Sequence, residues 1–406
     1  MPDFSIPLSG LDASNTALST ISNNLANLNT TGYKDTSVNF QDMFYQLMGS
    51  NGSGDLLQVG AGTSVASIGT NFSGGSVQNT GVNTDAAITG NGFFIVQNGA
   101  STYYTRAGDF TQDSNGYLVT ADGYQVMGYP AVNGVVNSSG ALAPIQVQDG
   151  MVNPPQATSS MSIAANLSSD AAVGDSYSVN TTIYDSLGTS HVLTVDFTRT
   201  ATGWSYNATL PASDLTAGSA TTMASGNLSF DSNGNLTSTA PIAINISNLA
   251  DGASNMNVNW ELASSGLGLI TQLSGASSTS ATTQDGYGSG TLTGFTINSD
   301  GTIIGSFTNG TKSLGQIALA NFANLQGLSK QGDNNFAATM SSGSAVVGAP
   351  GTSSLGTLTG GALELSNVDM STEFSNLIIA ERGYQANAKS VTTFDQIAQD
   401  TISMIR

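Results

Sequence analysis

Both ends of the chain carry the spacing of an amphipathic helix, whereas the residues between them have the character of β-structure. Near each end, apolar or small residues recur at alternating steps of three and four. The repeating positions are Leu11, Ser14, Leu18, Ile21, Leu25 and Leu28 near the start, and Leu377, Ala380, Tyr384, Asn387, Val391, Phe394, Ala398, Thr401 and Ile405 near the end. This spacing is typical of a coiled-coil seam, in which each helix buries an apolar stripe that it cannot bury alone. The two terminal helices are therefore predicted to be partners.

Because the apolar stripes lie at both ends of the chain, we predict that the protein is a subunit of a larger assembly. We expect the N-terminal helix to contribute a subunit interface of Leu11, Leu18, Ile21, Asn23, Asn24, Leu25, Asn27 and Leu28. The C-terminal helix is expected to contribute Phe374, Leu377, Tyr384, Asn387, Val391, Phe394, Ala398, Ile402 and Ile405. Asparagine is costly in a lone helix because it competes for backbone hydrogen bonds. The asparagines therefore indicate side-chain bonds to other subunits or to the following loop, unless they lie on a solvated outer face.

Capping residues predict the limits of the first helix. Ser9, with Asp12 three residues later, has the spacing of an N-cap, and the helix is expected to run through Asn29. Gly32, which follows two threonines, suits a left-handed position after the helix. Gly32 is accordingly a predicted turn or hinge position.

The last helix is predicted in the same way. Ser366 and Asp369 repeat the capping-box spacing, and no proline follows Gly351, so a helix of about 35 residues is allowed. Gly383 lies inside this helix and weakens it by about 1 kcal/mol relative to alanine. Gly383 is the second predicted turn or hinge position.

The residues between the helices alternate in the manner of short β-strands. Residues 113–116, 231–234 and 298–301 contain Asn-Gly or Asp-Gly pairs, which predict hairpin turns. Short strands with frequent turns between residues 150 and 280 predict a β-sandwich or barrel. Trp204 and Trp260 are expected in the core of this segment rather than on a sugar-binding surface.

These patterns predict a fold that is mainly β with α-helical coiled-coil termini, in which nested β domains are inserted between the paired N- and C-terminal helices. Domain insertion at an exposed loop costs little stability. The expected divisions are a terminal helical domain of residues 1–32 and 362–406, a connecting segment of 33–80 and 341–361, an inner β domain of 81–145 and 281–340, and an outer inserted β domain of 146–280.

The charge of the chain argues against several classes of partner. Eight basic residues face 27 acidic ones, which gives a net charge of −19, and no Lys or Arg occurs between Arg199 and Lys312. A chain without a basic patch offers little to a phosphate backbone or an anionic lipid surface. We therefore expect no nucleic-acid partner. Because no apolar run of about 18 residues occurs, we also expect no membrane insertion.

Residues suited to catalysis or metal binding are scarce. The chain has no Cys, and His191, its one His, lies on a predicted strand. A hydrolase that uses His191 with a serine and an aspartate is the enzymatic alternative, but a lone histidine on a strand is more often structural. Zinc sites use several His or Cys ligands, and the Asp-Ser-Asn-Gly turns do not complete a calcium loop. We expect no catalytic residue, no metal and no cofactor, and hence no enzyme.

The first residues, MPDF, lack the basic and apolar regions of a Sec-type signal peptide. If the protein works outside the cell, we expect it to leave by a route that does not cleave its N-terminus.

Three blocks of sequence resemble the bacterial flagellar rod and hook proteins. The first block comprises residues 8–11 (LSGL), 21–27 (ISNNLAN) and 30–34 (TTGYK), and the last comprises 361–369 (GALELSNVD) and 382–389 (RGYQANAK). The middle block comprises 90–94 (GNGFF), 104–110 (YTRAGDF) and 116–123 (GYLVTADG). The blocks occur in the same order as in that family. The large segment 146–280 resembles the hook proteins more than the shorter rod proteins.

This resemblance implies a structural subunit of the hook, which polymerises into a hollow, curved, flexible helical tube and transmits motor torque to the filament. It implies export in an unfolded state through the flagellar export apparatus, without a cleaved signal, to an extracellular place in the flagellar basal body and hook. The implied partners are further copies of the chain, the hook cap, the distal rod and the hook–filament junction proteins. The terminal helices would form an inner tube, with the β domains outside.

Two other classes of protein fit parts of the sequence. A distal-rod-like axial protein would share the terminal helices but would be stiff and straight. An extracellular β-rich adhesin or surface-layer protein accounts for the acidic, threonine-rich middle but not for paired helices at both ends.

Overall fold

The computed structural model describes residues 4–50 and 56–404, and it places one long helix at each end of a β-rich chain. Helix α1 comprises Ser5–Ala26 and helix α2 comprises Met370–Met404. Between them, the described residues form β-strands and two short 3-10 helices, Ala212–Asp214 and Leu325–Gly327. The predicted fold class is confirmed. In this described part, neither long helix is apolar enough to cross a membrane.

Helix α1 lies closer to the N-terminus than its capping residues predict. It begins at Ser5, so the hydroxyl of Ser9 lies inside the helix and donates to the carbonyl oxygen of Ile6 at 2.7 Å. The predictions of an N-cap at Ser9 and of a helix that runs through Asn29 are therefore wrong. The helix ends at Ala26 because residues 27–33 form tight turns, closed by bonds to the carbonyl three residues earlier.

Helix α2 begins directly after Asp369. The Oδ1 atom of Asp369 accepts hydrogen bonds from the amides of Ser371 and Thr372 at 2.8 and 3.2 Å, so Asp369 is the residue that caps the helix. The predicted capping role of Ser366 is wrong, because Ser366 lies too far ahead of the first turn. The helix continues through Gly383 without a break for 35 residues.

The strands are numbered in chain order. Those that follow α1 are β1 Thr36–Asp42, β2 Gln46–Ser50, β3 Leu56–Val59, β4 Thr63–Thr70, β5 Val77–Asn79, β6 Ala86–Thr89, β7 Phe93–Asn98, β8 Ser101–Thr105, β9 Thr111–Gln112, β10 Leu118–Val119, β11 Gln125–Val132, β12 Val135–Val136 and β13 Ala143–Pro144. Next are β14 Val152–Asn153, β15 Ser160–Asn166, β16 Ser176–Tyr184, β17 Ser190–Arg199, β18 Trp204–Thr209, β19 Thr222–Leu228, β20 Ile242–Ile246, β21 Met256–Glu261, β22 Ala263–Ser264, β23 Leu267–Gly268, β24 Ile270–Thr271 and β25 Ser278–Gln284. The last are β26 Gly290–Ile297, β27 Thr302–Phe307, β28 Gly310–Ile317, β29 Leu319–Asn321, β30 Ser329–Gly332, β31 Asn335–Ala337, β32 Val346–Gly348, β33 Thr357–Gly360 and β34 Ala362–Glu364.

The chain folds into two compact units. The first unit comprises Met1–Asp149, Gly294–Gly305 and Lys312–Arg406, and the second comprises Gly150–Thr293 and Ser306–Thr311. The second unit is therefore an insertion in the sequence of the first. The finer division into four nested segments stays a prediction.

The first unit is organised by an antiparallel sheet with the order β28–β11–β7–β8–β31–β30. Its core is rich in aromatic residues, with buried side chains from several of these strands and from β29 and its flanking residues: Phe93, Ile95, Tyr104, Met127, Tyr129, Ala318, Ala320, Phe322 and Phe336. Beside the sheet, β5 pairs with β34 and β6 pairs with β33. The chain that leaves α1 therefore lies next to the chain that approaches α2.

The second unit contains two sheets that share one core, as expected for a β-sandwich. One sheet has the order β16–β17–β18–β19, and the other has β21 between β20 and β15, with β24 and β25 also on β15. Both tryptophans are buried, and the ring of Trp260 lies 6.0 Å from Phe197 and 5.3 Å from Tyr206. The prediction that Trp204 and Trp260 are core residues is confirmed.

Candidate functional site

Helices α1 and α2 pack against each other in antiparallel directions within one chain. The rings of Phe4 and Phe394 lie 6.0 Å apart at one end of the pair. At the other end, Nδ2 of Asn24 lies 3.3 Å from Oε1 of Glu373. Small residues allow the close approach between these ends, since a Cβ atom on Gly10 would be 2.6 Å from the side-chain nitrogen of Asn387.

The predicted interface residues lie mostly along this intramolecular seam. Half-buried positions are Leu11, Leu18, Ile21, Leu25, Asn27 and Leu28 from the first segment, and Leu377, Asn387, Val391, Phe394 and Ala398 from the second. Asn23, Phe374, Tyr384 and Ile402 are exposed, Asn24 is buried, and Ile405 lies outside the described residues. The role of these residues in contacts between subunits stays a prediction.

Asn24 connects α1 to the loop that follows it and to the start of α2. Its Nδ2 donates to the carbonyl oxygen of Thr36 at 2.8 Å, and its Oδ1 accepts from the amide of Thr36 at 3.0 Å and from the hydroxyl of Tyr33 at 3.1 Å. The contact with Glu373 completes the set. Asn24 is 1% exposed, so its polar atoms are bonded within the chain, and one of its partners is the following loop.

A buried ion cluster fixes the base of the two helices to the β-structure. Oε1 of Glu364 lies 2.6 Å from Nζ of Lys34, and Oε2 lies 3.2 Å from Nη1 of Arg106. The amide of Gly75 also donates to Oε1 at 2.9 Å. The three charged side chains are at most 3% exposed. We call Lys34, Arg106 and Glu364 the base cluster.

The electrostatics of the base cluster depend on the single carboxylate. Burial lowers the pKa of Lys34, although the hydrogen bond and charge of Glu364 oppose this shift. Burial likewise lowers the pKa of Arg106, again opposed by Glu364. Removal of one partner from a buried ion pair leaves an uncompensated charge and is strongly destabilising. Glu364 is therefore the residue on which the base cluster depends most.

Gly32 allows the chain to pass the base cluster closely. Its φ angle is +68°, which is the left-handed conformation predicted for it. A Cβ atom at this position would lie 2.6 Å from backbone atoms of Arg106 and Ala107. The amide of Gly32 donates to the carbonyl oxygen of Glu364 at 2.8 Å. Its predicted function as a hinge stays a prediction.

The base cluster was not predicted from the sequence, although all three residues lie in the motifs that carry the family resemblance. Helical and strand periodicities report local structure, whereas Lys34 and Glu364 are 330 residues apart. A signal was available in the composition. The chain has only eight basic residues, and two of them, Lys34 and Arg106, lie within Gly- and Thr-containing motifs. A basic residue in such a motif indicates a buried partner rather than a solvated surface position.

A groove of about 440 Å³ lies beside the helix pair. Helices α1 and α2 and strand β1 form its walls, which include Ile21, Val38, Phe40, Ile379 and Ala380. Glu373 also lines the groove and is 8% exposed. Its Oε2 atom is buried and has no hydrogen-bond partner among the described residues.

The opposite side of α2 remains exposed after the two helices have paired. Phe374, Ile378, Arg382, Gln385 and Lys389 are spaced by four, four, three and four residues, so they form one stripe along the helix. We call these five residues the outer stripe. All of them are exposed, and Phe374 and Ile378 retain 49% and 56% of their accessible surface.

His191 is buried among carboxylates in the second unit. Its Nδ1 lies 3.0 Å from Oδ2 of Asp214, and its Nε2 lies 3.2 Å from Oδ2 of Asp185 and 3.9 Å from Oδ2 of Asp251. Burial alone would lower the pKa of His191, but the hydrogen bonds to Asp214 and Asp185 outweigh burial and raise it. Burial likewise opposes ionisation of Asp185, but hydrogen bonds with Asp251, His191 and backbone amides lower its pKa to about 2. The geometry is that of a charged imidazole balanced by carboxylates.

Four family models match the sequence, and together they include segments near both ends of the chain. "Flagella basal body rod protein" matches residues 6–34, and "Flagellar hook protein FlgE/F/G D1 domain" matches 87–166. "Flagellar basal body protein FlaE D2 domain" matches 153–287, and "Flagellar basal body rod FlgEFG protein C-terminal" matches 359–404.

Known relatives are similar over nearly their whole length. The flagellar hook protein FlgE of Escherichia coli K12 is 39% identical over 418 residues, which cover 99% of each chain. The flagellar hook protein FlgE of Borreliella burgdorferi is 35% identical over 441 residues, which cover 98% of each chain. The crystal structure of the Helicobacter pylori flagellar hook protein FlgE2 shares the fold with a TM-score of 0.51 at 16% identity, over 69% of this chain and 98% of that one. The chain therefore belongs to the bacterial flagellar hook protein family.

Proposed function

We propose that the chain is a structural subunit of the flagellar hook and that it polymerises with copies of itself through its terminal helices. The observation that carries this proposal is the apolar surface left on α2 after it has paired with α1, where Ile378, Ile379 and Ile402 are 56%, 69% and 67% exposed. A helix that is apolar on more than one side gains stability when further helices cover it. The predicted interface residues and the outer stripe are the proposed contacts.

The proposed polymer is a hollow, curved and flexible helical tube that transmits motor torque to the filament. A contact between two different surfaces repeats without closing and so generates a helical assembly. Bending would require neighbouring subunits to slide against each other. Because only 9% of its residues are charged, the sequence offers few side chains for ion pairs that sliding would have to break.

The family also supplies the proposed route and partners. We expect export in an unfolded state through the flagellar export apparatus, without a cleaved signal, to the extracellular hook. The expected partners besides further copies are the hook cap, the distal rod and the hook–filament junction proteins. The four nested segments predicted from the sequence, 1–32 with 362–406, 33–80 with 341–361, 81–145 with 281–340, and 146–280, are the proposed arrangement of each subunit. Because family members are structural proteins, the prediction that the chain is not an enzyme is confirmed.

Immunogold labelling of intact cells with antibody against residues 150–280 tests the location. We expect label confined to a short curved segment between the cell surface and the filament. Label that appears only after the outer envelope has been removed would instead indicate a distal-rod-like protein. Label over the whole surface would indicate an adhesin or coat protein and would contradict the proposal.

Engineered cysteine pairs test the sliding of neighbouring subunits. The chain has no Cys, so every disulfide formed would come from the introduced pair. Pairs between the second units of neighbouring copies should straighten or freeze the hook under oxidation, and reduction should restore bending. Unchanged bending with complete crosslinking would show that these units do not slide.

A further inference from the structure

The groove beside the helix pair contains a carboxylate that its own chain leaves unpaired. Oε1 of Glu373 accepts from Asn24 at 3.3 Å, but Oε2 is buried without a donor among the described residues. Burial raises the pKa of Glu373. The hydrogen bond from Asn24 opposes this shift, and the nearby negative charge of Asp35 adds to it. An unpaired buried carboxylate is costly, so the groove is suited to an occupant that brings a hydrogen-bond donor or a positive charge.

The walls of the groove specify the rest of the occupant. Phe40 and Ile379 line the groove and are 48% and 69% exposed, so apolar surface remains to be covered. A complementary occupant would present apolar side chains next to a cation.

The outer stripe of α2 has this composition. Phe374 and Ile378 supply exposed apolar surface, and Arg382 follows one turn later. The guanidinium of Arg382 makes one weak contact in the described structure, at 3.4 Å from Oε1 of Gln385. A guanidinium is also the cation that best matches the two oxygens of a carboxylate.

The arginine cannot come from the same chain. Glu373 and Arg382 are nine residues apart on one helix, which separates them by about 13 Å along its axis. Each copy therefore carries both halves of a complementary pair on different faces, and the two halves can meet only between copies.

We propose that the groove receives the outer stripe of α2 from a second copy of this chain, with Arg382 of that copy donating to Glu373 and Ile378 of that copy covering the apolar wall. This inference rests on the proposed polymerisation and identifies the surfaces that make it. Because groove and stripe are different surfaces, each added copy presents a fresh groove, so the contact propagates instead of closing a dimer.

Charge substitutions test the pair. Arg382 is exposed, so Arg382→Glu should fold normally by circular dichroism but should raise the protein concentration needed for polymerisation at least tenfold, measured by sedimentation and electron microscopy. The double variant Glu373→Arg with Arg382→Glu should recover polymerisation, because it exchanges the two charges. Asp395→Lys, a charge change on α2 outside the outer stripe, is the matched control and should leave assembly unchanged.

Cysteine crosslinking tests the position independently of charge. Val38→Cys in the groove wall and Ile378→Cys in the outer stripe are prepared as separate proteins and mixed under oxidation. We expect disulfide-linked heterodimers to exceed either homodimer.

The outcomes separate this inference from the proposed function. The inference would be overturned if Arg382→Glu assembled normally, or if the Val38→Cys and Ile378→Cys proteins formed no more heterodimers than homodimers. The proposed function would still stand in that case, provided that the wild-type chain forms polymers. A wild-type chain that does not polymerise under any salt or pH condition would contradict both.

Discussion

Glu364 and Lys34 are 330 residues apart in the sequence, yet their side chains form an ion pair of 2.6 Å with almost no exposure to solvent. Glu364 also binds Arg106, so one carboxylate pairs with two buried cations from different parts of the first unit. The segment after α1 and the segment before α2 are thereby fixed to each other and to the β-structure.

Substitution of Glu364 by glutamine tests the base cluster. The side chain keeps its size but loses its charge, and Lys34 and Arg106 are left buried without a counter-ion. We expect the free energy of unfolding of the first unit to fall by about 3 kcal/mol or more. Urea denaturation of the full chain, followed by circular dichroism at a helix wavelength, reports this unit because both long helices belong to it.

The control for this measurement is Glu381→Gln, an exposed glutamate on α2. It should change the unfolding free energy by less than about 0.5 kcal/mol. Equal effects of the two substitutions would mean that burial of the base cluster carries no energetic weight.

Substitution of Asn24 by alanine tests the connection between α1 and its following loop. The change leaves the backbone groups of Thr36 and the hydroxyl of Tyr33 without their partner. We expect a loss of about 2 kcal/mol in unfolding free energy, since unsatisfied buried polar groups cost about 1–3 kcal/mol. The neighbouring Asn23→Ala is the matched control, because Asn23 is exposed and should tolerate the change. Alanine is the better helix former, so helix propensity alone would stabilise both variants. Similar losses for both variants would therefore show that the buried network of Asn24 carries no special energetic weight.

The second unit should lose stability at both ends of the pH scale. The folded state raises the pKa of His191 above its ordinary value of about 6.5, so the stabilisation is complete below pH 6.5 and is lost as the pH rises through the folded pKa. The pKa of Asp185 is lowered from 3.8 to about 2, so its stabilisation is complete above pH 3.8 and is lost as the pH falls through 2. Stability should therefore be greatest between these ranges.

Tryptophan fluorescence measures this pH dependence, because Trp204 and Trp260 are the two tryptophans of the chain and both lie in the second unit. The variant His191→Asn should be less stable than wild type at pH 6 and should not lose further stability between pH 6 and pH 9. A variant that keeps the alkaline loss of wild type would exclude His191 as its origin.

Alanine substitutions at the two predicted hinge glycines should have opposite effects. At Gly383, a Cβ atom would meet Oγ of Ser14 at 3.5 Å, an ordinary contact, so the gain in helix propensity should stabilise the first unit by about 1 kcal/mol. At Gly32, the positive φ and the backbone 2.6 Å away should cost about 2 kcal/mol or more. Thermal unfolding compares the two. A stabilised Gly383→Ala subunit that assembles normally but gives hooks with altered bending would support the hinge role of that glycine.

The sequence predicted those features that depend on local periodicity. The two helices, the hairpin turns and the buried tryptophans follow from spacing of three and four, from turn residues and from alternation. The pairing of the helices also followed, because a stripe such as that containing Leu377 and Val391 needs a covering surface. The capping-box patterns at Ser9 and Ser366 do not mark the helix starts, since a similar pattern also occurs inside a helix or in a loop.

The features that were missed depend on residues that are distant in the sequence. Nothing in the neighbourhood of Lys34 or Arg106 indicates that Glu364 is their partner. The surroundings of His191 are also supplied by separate segments, namely the loops that contain Asp185 and Asp251 and the 3-10 helix that ends at Asp214. Electrostatic pairing has no period along the chain, so only the folded structure brings such groups together.

The base cluster also has a consequence for the order in which the chain is made. Its two cations are translated early, and its carboxylate is translated after nearly nine-tenths of the 406 residues. A product that stops before Glu364 would have to bury Lys34 and Arg106 unpaired, and it would lack α2 as well. Completion of the first unit is therefore tied to the last tenth of the chain, and we expect a product truncated before Glu364 to be less stable than the full-length chain.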